Sequence, residues 1–316
     1  MGPENATAVT EFILEGFPEL DPRPQLFFSQ VLLLMYLTTV MGNATIIFLL
    51  CVDHHLHTPM DFFICSLAFL EIWFTSSTSI QVFVMLSSGQ NILSLSSCFA
   101  QNYFCLALGC TEFVPLVVMS FHCYVAICHP LLYAAIRKPQ LCVHLGVAAW
   151  VLGFALLSCR LLFLSDLSFC GSKIPHFLCD NSPLFKLSCS DTSLLWKIDS
   201  VFLPCVQVGS LCLTLAFDIC ILFCVLHLPA VSGRKEALTM CSSHPIPLST
   251  ACGSCVALYM CLQGDVSLRT KRTAALLNTA LYPFLNPFIY SLGNKPVMLA
   301  LNKSIARPRT RTKLFP

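Results

Sequence analysis

The side chains best placed to do chemistry are three carboxylates set in apolar sequence, a run of histidines and a large set of cysteines. Glu71 stands in Leu67-Ala68-Phe69-Leu70-Glu71-Ile72-Trp73, Glu112 in Leu108-Gly109-Cys110-Thr111-Glu112-Phe113, and Asp218 follows Phe217. A carboxylate at bilayer depth costs ~2.5–3.5 kcal/mol on insertion scales and is a functional candidate by default. A transporter would pair such acids with intramembrane bases across inverted halves; no repeat is visible, and no basic partner is expected for these three inside the helices. His54-His55-Leu56-His57 invites a metal. Membrane di-iron enzymes need several such boxes, and one box predicts no metal centre. Cys252-Gly253-Ser254-Cys255 has the spacing of redox or zinc chemistry. It has no second pair and lies in a wholly apolar run, which reads as packing. No nucleophile–base constellation appears, so no catalytic residue, enzyme activity or cofactor is expected.

The elements that must carry these residues follow from composition. The chain has 316 residues, 56% hydrophobic and 11% charged, against about 25% charged in soluble domains. Pro24–Val52, Phe113–Ile136, Pro139–Cys159, Ala237–Gly264 and Thr273–Asn294 contain no Asp, Glu, Lys or Arg. Each exceeds the ~20 residues a helix needs to cross ~30 Å of hydrocarbon. The chain reads as an all-α, polytopic membrane protein, and its net charge of +2 gives no reason to expect nucleic acid. The acidic arm 1–24 is the reverse of a signal-peptide n-region, so the first helix is expected to serve as the targeting signal. Asn5-Ala6-Thr7 is a glycosylation sequon in that arm; those at Asn43 and Asn302 fall in a helix and in the basic tail. The tail has six basic residues and no acid, a bias that places it in the cytoplasm and the amino terminus outside. Arg160 is counted with the outside loops in that bias. Most of the 20 cysteines sit in apolar runs as small packing residues.

The specific signal is Met119–Tyr133, MSFHCYVAICHPLLY, where an apolar helix stops before Pro130. It resembles the end of the third helix in odorant receptors, rhodopsin-like G-protein-coupled receptors whose consensus is MAYDRYVAICHPLLY. The family's Asp-Arg pair is replaced by His122-Cys123. Further matches are Gly42-Asn43, the loop around His57-Thr58-Pro59-Met60, LGCTEF at Leu108–Phe113, Trp150 and the cysteine-rich run from Cys170 to Thr192. Met240-Cys241-Ser242-Ser243-His244 and Asn286-Pro287-Phe288-Ile289-Tyr290-Ser291-Leu292 complete the set. Gly293 replaces the usual Arg, Phe217-Asp218 the usual Ser-Tyr, and Ala251-Cys252-Gly253 the usual Phe-Tyr-Gly. Pro245 and Pro247 stand where relatives have ordinary helix formers.

The resemblance implies a seven-transmembrane bundle, with an extracellular arm 1–24, a receptor domain 25–292 and a cytoplasmic tail 293–316 carrying a short amphipathic helix. Its helices are expected near 25–51, 59–86, 97–128, 141–162, 199–226, 237–262 and 273–292. It implies a multi-pass plasma-membrane receptor binding small volatile odorants and an olfactory stimulatory G protein. By position, the pocket would use Cys105, Leu106, Gly109, Cys110, Phe113, Phe202, Val206, Cys252, Cys255, Tyr259 and Thr279. Family analogy pairs Cys98 with Cys179 and Cys170 with Cys189, places a glycan on Asn5, and gives an interior polar network of Asn43, Glu71 and Asn286. Activation residues would be His122, Cys123, Tyr124, Asn286, Pro287 and Tyr290. Losing the Asp-Arg pair implies two opposed effects, a lost G-protein contact and a lost inactive-state restraint. A coupling-impaired or decayed receptor is therefore the alternative within the family, and a membrane transporter the distant one.

Overall fold

The computed structural model describes residues 9–19, 21–53, 58–136, 139–227, 267–293 and 295–306. Asn5, the histidine run 54–57, the expected sixth helix 237–262 with Cys252, Cys255 and Tyr259, and the end of the tail lie outside them. Among the described residues five helices are long and apolar enough to cross a membrane. They are α1 (Pro22–Val52), α2 (Pro59–Ser88), α3 (Leu95–Cys128), α5 (Pro139–Ser165) and α7 (Ser193–Leu226). Between them lie two short helices, α4 (Pro130–Ile136) and α6 (Asn181–Lys186). The last crossing is composite: α8 (Leu268–Leu276), a π-helical turn (Leu277–Leu281) and α9 (Tyr282–Gly293), followed by α10 (Lys295–Ala306).

Local chemistry sets the ends. Thr58 and Asp61 form a reciprocal capping box at the start of α2, with Pro59 in the first turn, and Gly89 closes it in the left-handed region at φ +68. Ser94 caps α3 by accepting from Ser97 N–H. That helix stops at Cys128, one residue before His129-Pro130.

Two boundaries run beyond the apolar windows. The α7 helix begins at Ser193, not 199, because Asp191 takes the N–H and hydroxyl of Ser193 and no proline or glycine lies between Ser193 and Asp199. Lys197 and Asp199 interrupt the apolar run without interrupting the helix. Likewise α8 begins at Leu268, capped by Ser267, well before 273.

The outer face carries an element that helix periodicity does not announce. Strand β1 (Glu11–Leu14) lies between β2 (Ile92–Ser94), antiparallel to it, and β3 (Lys173–Ile174), parallel. Phe12 and Leu14 are fully buried in a cluster with Cys98, Phe177, Cys179, Leu184 and Phe185. The amino-terminal arm is thereby part of the outer core. Deeper, Ile46, Phe63, Leu67, Leu108, Phe113, Leu116 and Met119 form a second core joining α1, α2 and α3. A Cβ on Gly42 would come within 2.8 Å of Pro287, so α1 and α9 approach closely where only glycine fits.

Candidate functional site

At the outer mouth Cys98 is joined to Cys179 and Cys170 to Cys189. Two neighbouring residues of α3 hold the first bridge in place. Gln101 accepts from Cys179 N–H at 3.2 Å and donates to Ser77 O, while Asn102 donates to Cys179 O at 2.9 Å and to Asn181 at 2.6 Å. Arg272 of α8 donates twice to Pro175 O, at 3.1 and 3.3 Å, and lies 3.6 Å from Glu15. His176 is buried, stacks on Phe177 and accepts from Leu178 N–H at 3.1 Å through Nδ1. Its Nε2 finds no partner among the described residues. Burial holds the imidazole below its ordinary pKa, with Arg272 acting the same way and Asp180 opposing.

Beneath this cap the structure corrects the charge bookkeeping of the sequence. Arg160 is no loop residue; it is buried in α5 and forms a bidentate pair with Asp199 of α7, at 2.7 and 2.8 Å. Opposite charges bounding two apolar windows at the same outer depth were the signal that could have revealed the pair.

Of the expected pocket residues, Cys105 lies 3.9 Å from the Ser77 hydroxyl and Cys110 is half-buried. Phe113 is buried in the deeper core, with Val206 packed against the same cluster. Leu106 and Phe202 are half-buried. Thr279 sits in the π-helical turn and spends its hydroxyl on Ala275 O at 2.9 Å.

The interior polar network is assembled differently from the expectation. Asn286 donates to Glu71, as a buried amide must find an acceptor. Asn43 does not join them: its Nδ2 donates to Thr39 O of its own helix at 3.1 Å. The extra members are Glu112, whose carboxyl lies beside that of Glu71, and Tyr282, whose hydroxyl donates to Glu112. Tyr282 was missed because it belongs to no acidic or amide motif.

At the other end, His122 is buried and its Nε2 lies 3.7 Å from Cys142 Sγ of α5. The rings of Phe63, Phe121 and Tyr133 surround it at 6.0–6.3 Å. The residue that stands in place of the acid is thus packed by aromatic rings and a thiol. Cys123 packs with Ile221 and Val225 of α7. Tyr124 bonds His129 at 3.0 Å and stacks on Phe217. Pro287 lies inside α9 against α1, and Tyr290 lies on the same helix.

Comparison with known proteins closes the description. The family model described as olfactory receptor matches residues 32–307. A human protein named Olfactory receptor 6X1 is 36% identical over 97% of this chain and 98% of its own length. Olfactory receptor 287 of Rattus norvegicus is 38% identical over 96% and 97%, and Olfactory receptor 6E1 of Mus musculus 40% over 96% and 97%.

Proposed function

The chain belongs to the olfactory receptor family, and from that premise we propose that it is an odorant receptor with weakened G-protein coupling. As a member it is a multi-pass plasma-membrane receptor with the seven-helix bundle of its family, and the family is one of receptors, not enzymes. That membership displaces the transporter reading. The family match spans residues 32–307, and the receptor reading is preferred to that of a decayed copy. The ligands are small volatile hydrophobic molecules taken in the outer half of the bundle, where Cys105, Leu106, Gly109, Cys110, Phe202 and Val206 offer an apolar lining. The partner is an olfactory stimulatory G protein.

The observation that carries weakened coupling is Cys123. It stands where relatives keep an arginine that reaches toward the G protein, and its short side chain packs on Ile221 and Val225. A guanidinium offers five donors and permanent charge; a thiol offers one weak donor. A hydrogen bond to a charged group is worth ~1.5–3 kcal/mol, so losing one weakens coupling about tenfold or more. The test is odorant-evoked cAMP at matched surface density, comparing the native chain with the His122→Asp, Cys123→Arg double variant. The double variant is expected to signal more strongly, and equal responses would overturn the coupling argument. We also propose Asn5 as the glycan site. Asn5→Gln should remove the whole endoglycosidase-sensitive gel shift, and a residual shift would refute it.

A further inference from the structure

Two helix faces, one on α3 and one on α7, each begin at a residue tied to one buried arginine. On α3, Asn102, Cys105, Leu106, Gly109 and Cys110 recur at the i, i+3, i+4, i+7, i+8 spacing of a single helix face. On α7, Asp199, Phe202 and Val206 recur at i, i+3, i+7. Asn102 and Asp199 are the outer ends of these stripes, and Arg160 of α5 ties them together. Its Nε and Nη2 donate to the two Asp199 oxygens, and its Nη1 donates to Asn102 Oδ1 at 3.0 Å. The guanidinium carbon lies 5.7 Å from the Phe185 ring centroid, beneath the outer cap.

The donor count leaves something over. Of the five N–H groups of a guanidinium, these bonds use three. One hydrogen on Nη1 and one on Nη2 have no partner among the described residues. Both Nδ2 hydrogens of Asn102 are committed, to Cys179 O and Asn181. Further in, a Cβ added to Gly109 would meet nothing within 4 Å among the described residues.

We propose that Arg160 and Asp199, with Asn102, form the polar end of the ligand pocket, and that the pocket selects a neutral oxygen-bearing ligand. The class is an alcohol, aldehyde or ketone whose carbon chain lies along the two apolar stripes. This deepens the odorant-receptor reading and rests on it. The spare guanidinium N–H groups donate to a carbonyl or hydroxyl oxygen, and a hydroxyl can in addition donate to Asp199. Arg160 and Asp199 already balance, so a carboxylate or an ammonium would add an uncompensated charge to a buried site. A hydrocarbon leaves both donors unmade.

The test measures binding on the purified full-length chain by ligand-induced shift of the melting temperature, without any G protein. The probes share an eight-carbon chain: octan-1-ol, octanal, octane, octanoate and octylamine. Octan-1-ol and octanal should bind about tenfold or more tighter than the other three. Asp199→Asn leaves Arg160 uncompensated and should move octanoate to the top of the ranking. Gly109→Phe, about two helical turns along α3 from Asn102, should abolish binding while the unliganded protein still melts cooperatively. Should Asp199→Asn fail to fold, the native ranking and Gly109→Phe decide. The proposal is overturned if octane or octanoate matches octan-1-ol on the native chain, if none of the probes binds, or if Gly109→Phe binds as the native chain does. It is also overturned if folded Asp199→Asn keeps the native ranking. The odorant-receptor reading is judged separately, by the cAMP response of the double variant to a wide odorant panel.

Discussion

His122 Nε2 lies 3.7 Å from Cys142 Sγ, and this contact joins the inner end of α3 to the first turns of α5. Where the family resemblance puts an acid, an imidazole is wedged among Phe63, Phe121 and Tyr133. Burial of aromatic area replaces charge, with edge-to-face geometry toward Phe121 and Tyr133. The inner end of the bundle is thus packed as an apolar seam, continued one residue on by Cys123 against Ile221 and Val225.

The bridge between Cys98 and Cys179 closes 81 residues of chain. In the chain-entropy picture a bridge over a loop of that length is worth about 4.5 kcal/mol. Cys98→Ser or Cys179→Ser should abolish surface labelling of intact cells. Asn102→Ala keeps the bridge but strips hydrogen bonds from Cys179, Asn181 and Arg160, so surface density should fall without vanishing. Mass-spectrometric mapping that found Cys98 and Cys179 free in folded protein would refute the pairing.

A pH dependence follows from His176. Burial keeps its pKa in the folded chain below the unfolded value of about 6.5. Between the two values the unfolded chain binds a proton that the folded chain refuses, so stability rises with pH there. Stability present above about pH 6.5 should therefore be lost as the pH falls below it. Melting temperatures at pH 7.5 and 5.5 should differ more for the native chain than for His176→Phe, which retains the stack on Phe177. Equal differences in both proteins would remove His176 as the cause.

The bond from Asn286 to Glu71 fixes α9 to α2 inside the bundle. Glu71→Ala strands a buried amide, which costs about 1–3 kcal/mol. Glu71→Gln keeps a carbonyl acceptor and should restore most of that loss. The check is melting temperature in detergent. A glutamine variant as unstable as the alanine variant would mean that the charge of Glu71, not its acceptor, is what the site uses.

Much of this architecture is legible in the sequence because membrane helices are specified by length and the absence of charge. Cys128-His129-Pro130 marks the end of α3 to the residue, through the backbone rule at proline. What is not legible is whatever depends on three-dimensional coincidence. Four residues of the amino-terminal arm become the middle strand of a sheet whose partners lie some 80 and 160 residues away. Nothing in Glu11–Leu14 alone says so, since strand pairing is a property of the partners. Arg160 counts with the outside charges in the sequence and Asp199 opens the expected helix 199–226, and only their shared depth makes them a pair. Asn43 shows the converse: its motif was recognised, but an amide in a helix can bond the carbonyl four residues back, and it does.

The contact between His122 and Cys142 makes a last prediction that separates the two substituted positions. If the aromatic seat of His122 holds the inner end together, His122→Asp alone puts a carboxylate against a thiol and three rings. That variant should lose surface density and gain no signal, because Cys123 still offers no guanidinium. Cys123→Arg alone supplies the missing donors and should raise odorant-evoked cAMP. It should do so less than the double variant, in which the introduced carboxylate and guanidinium satisfy one another. In the Cys123→Arg background, His122→Ala removes the ring from its seat and should raise cAMP without odorant. The assay is basal and evoked cAMP for the four variants, each normalised to surface label. If His122→Ala leaves basal cAMP unchanged in that background, His122 is only a packing residue and the restraint lies elsewhere.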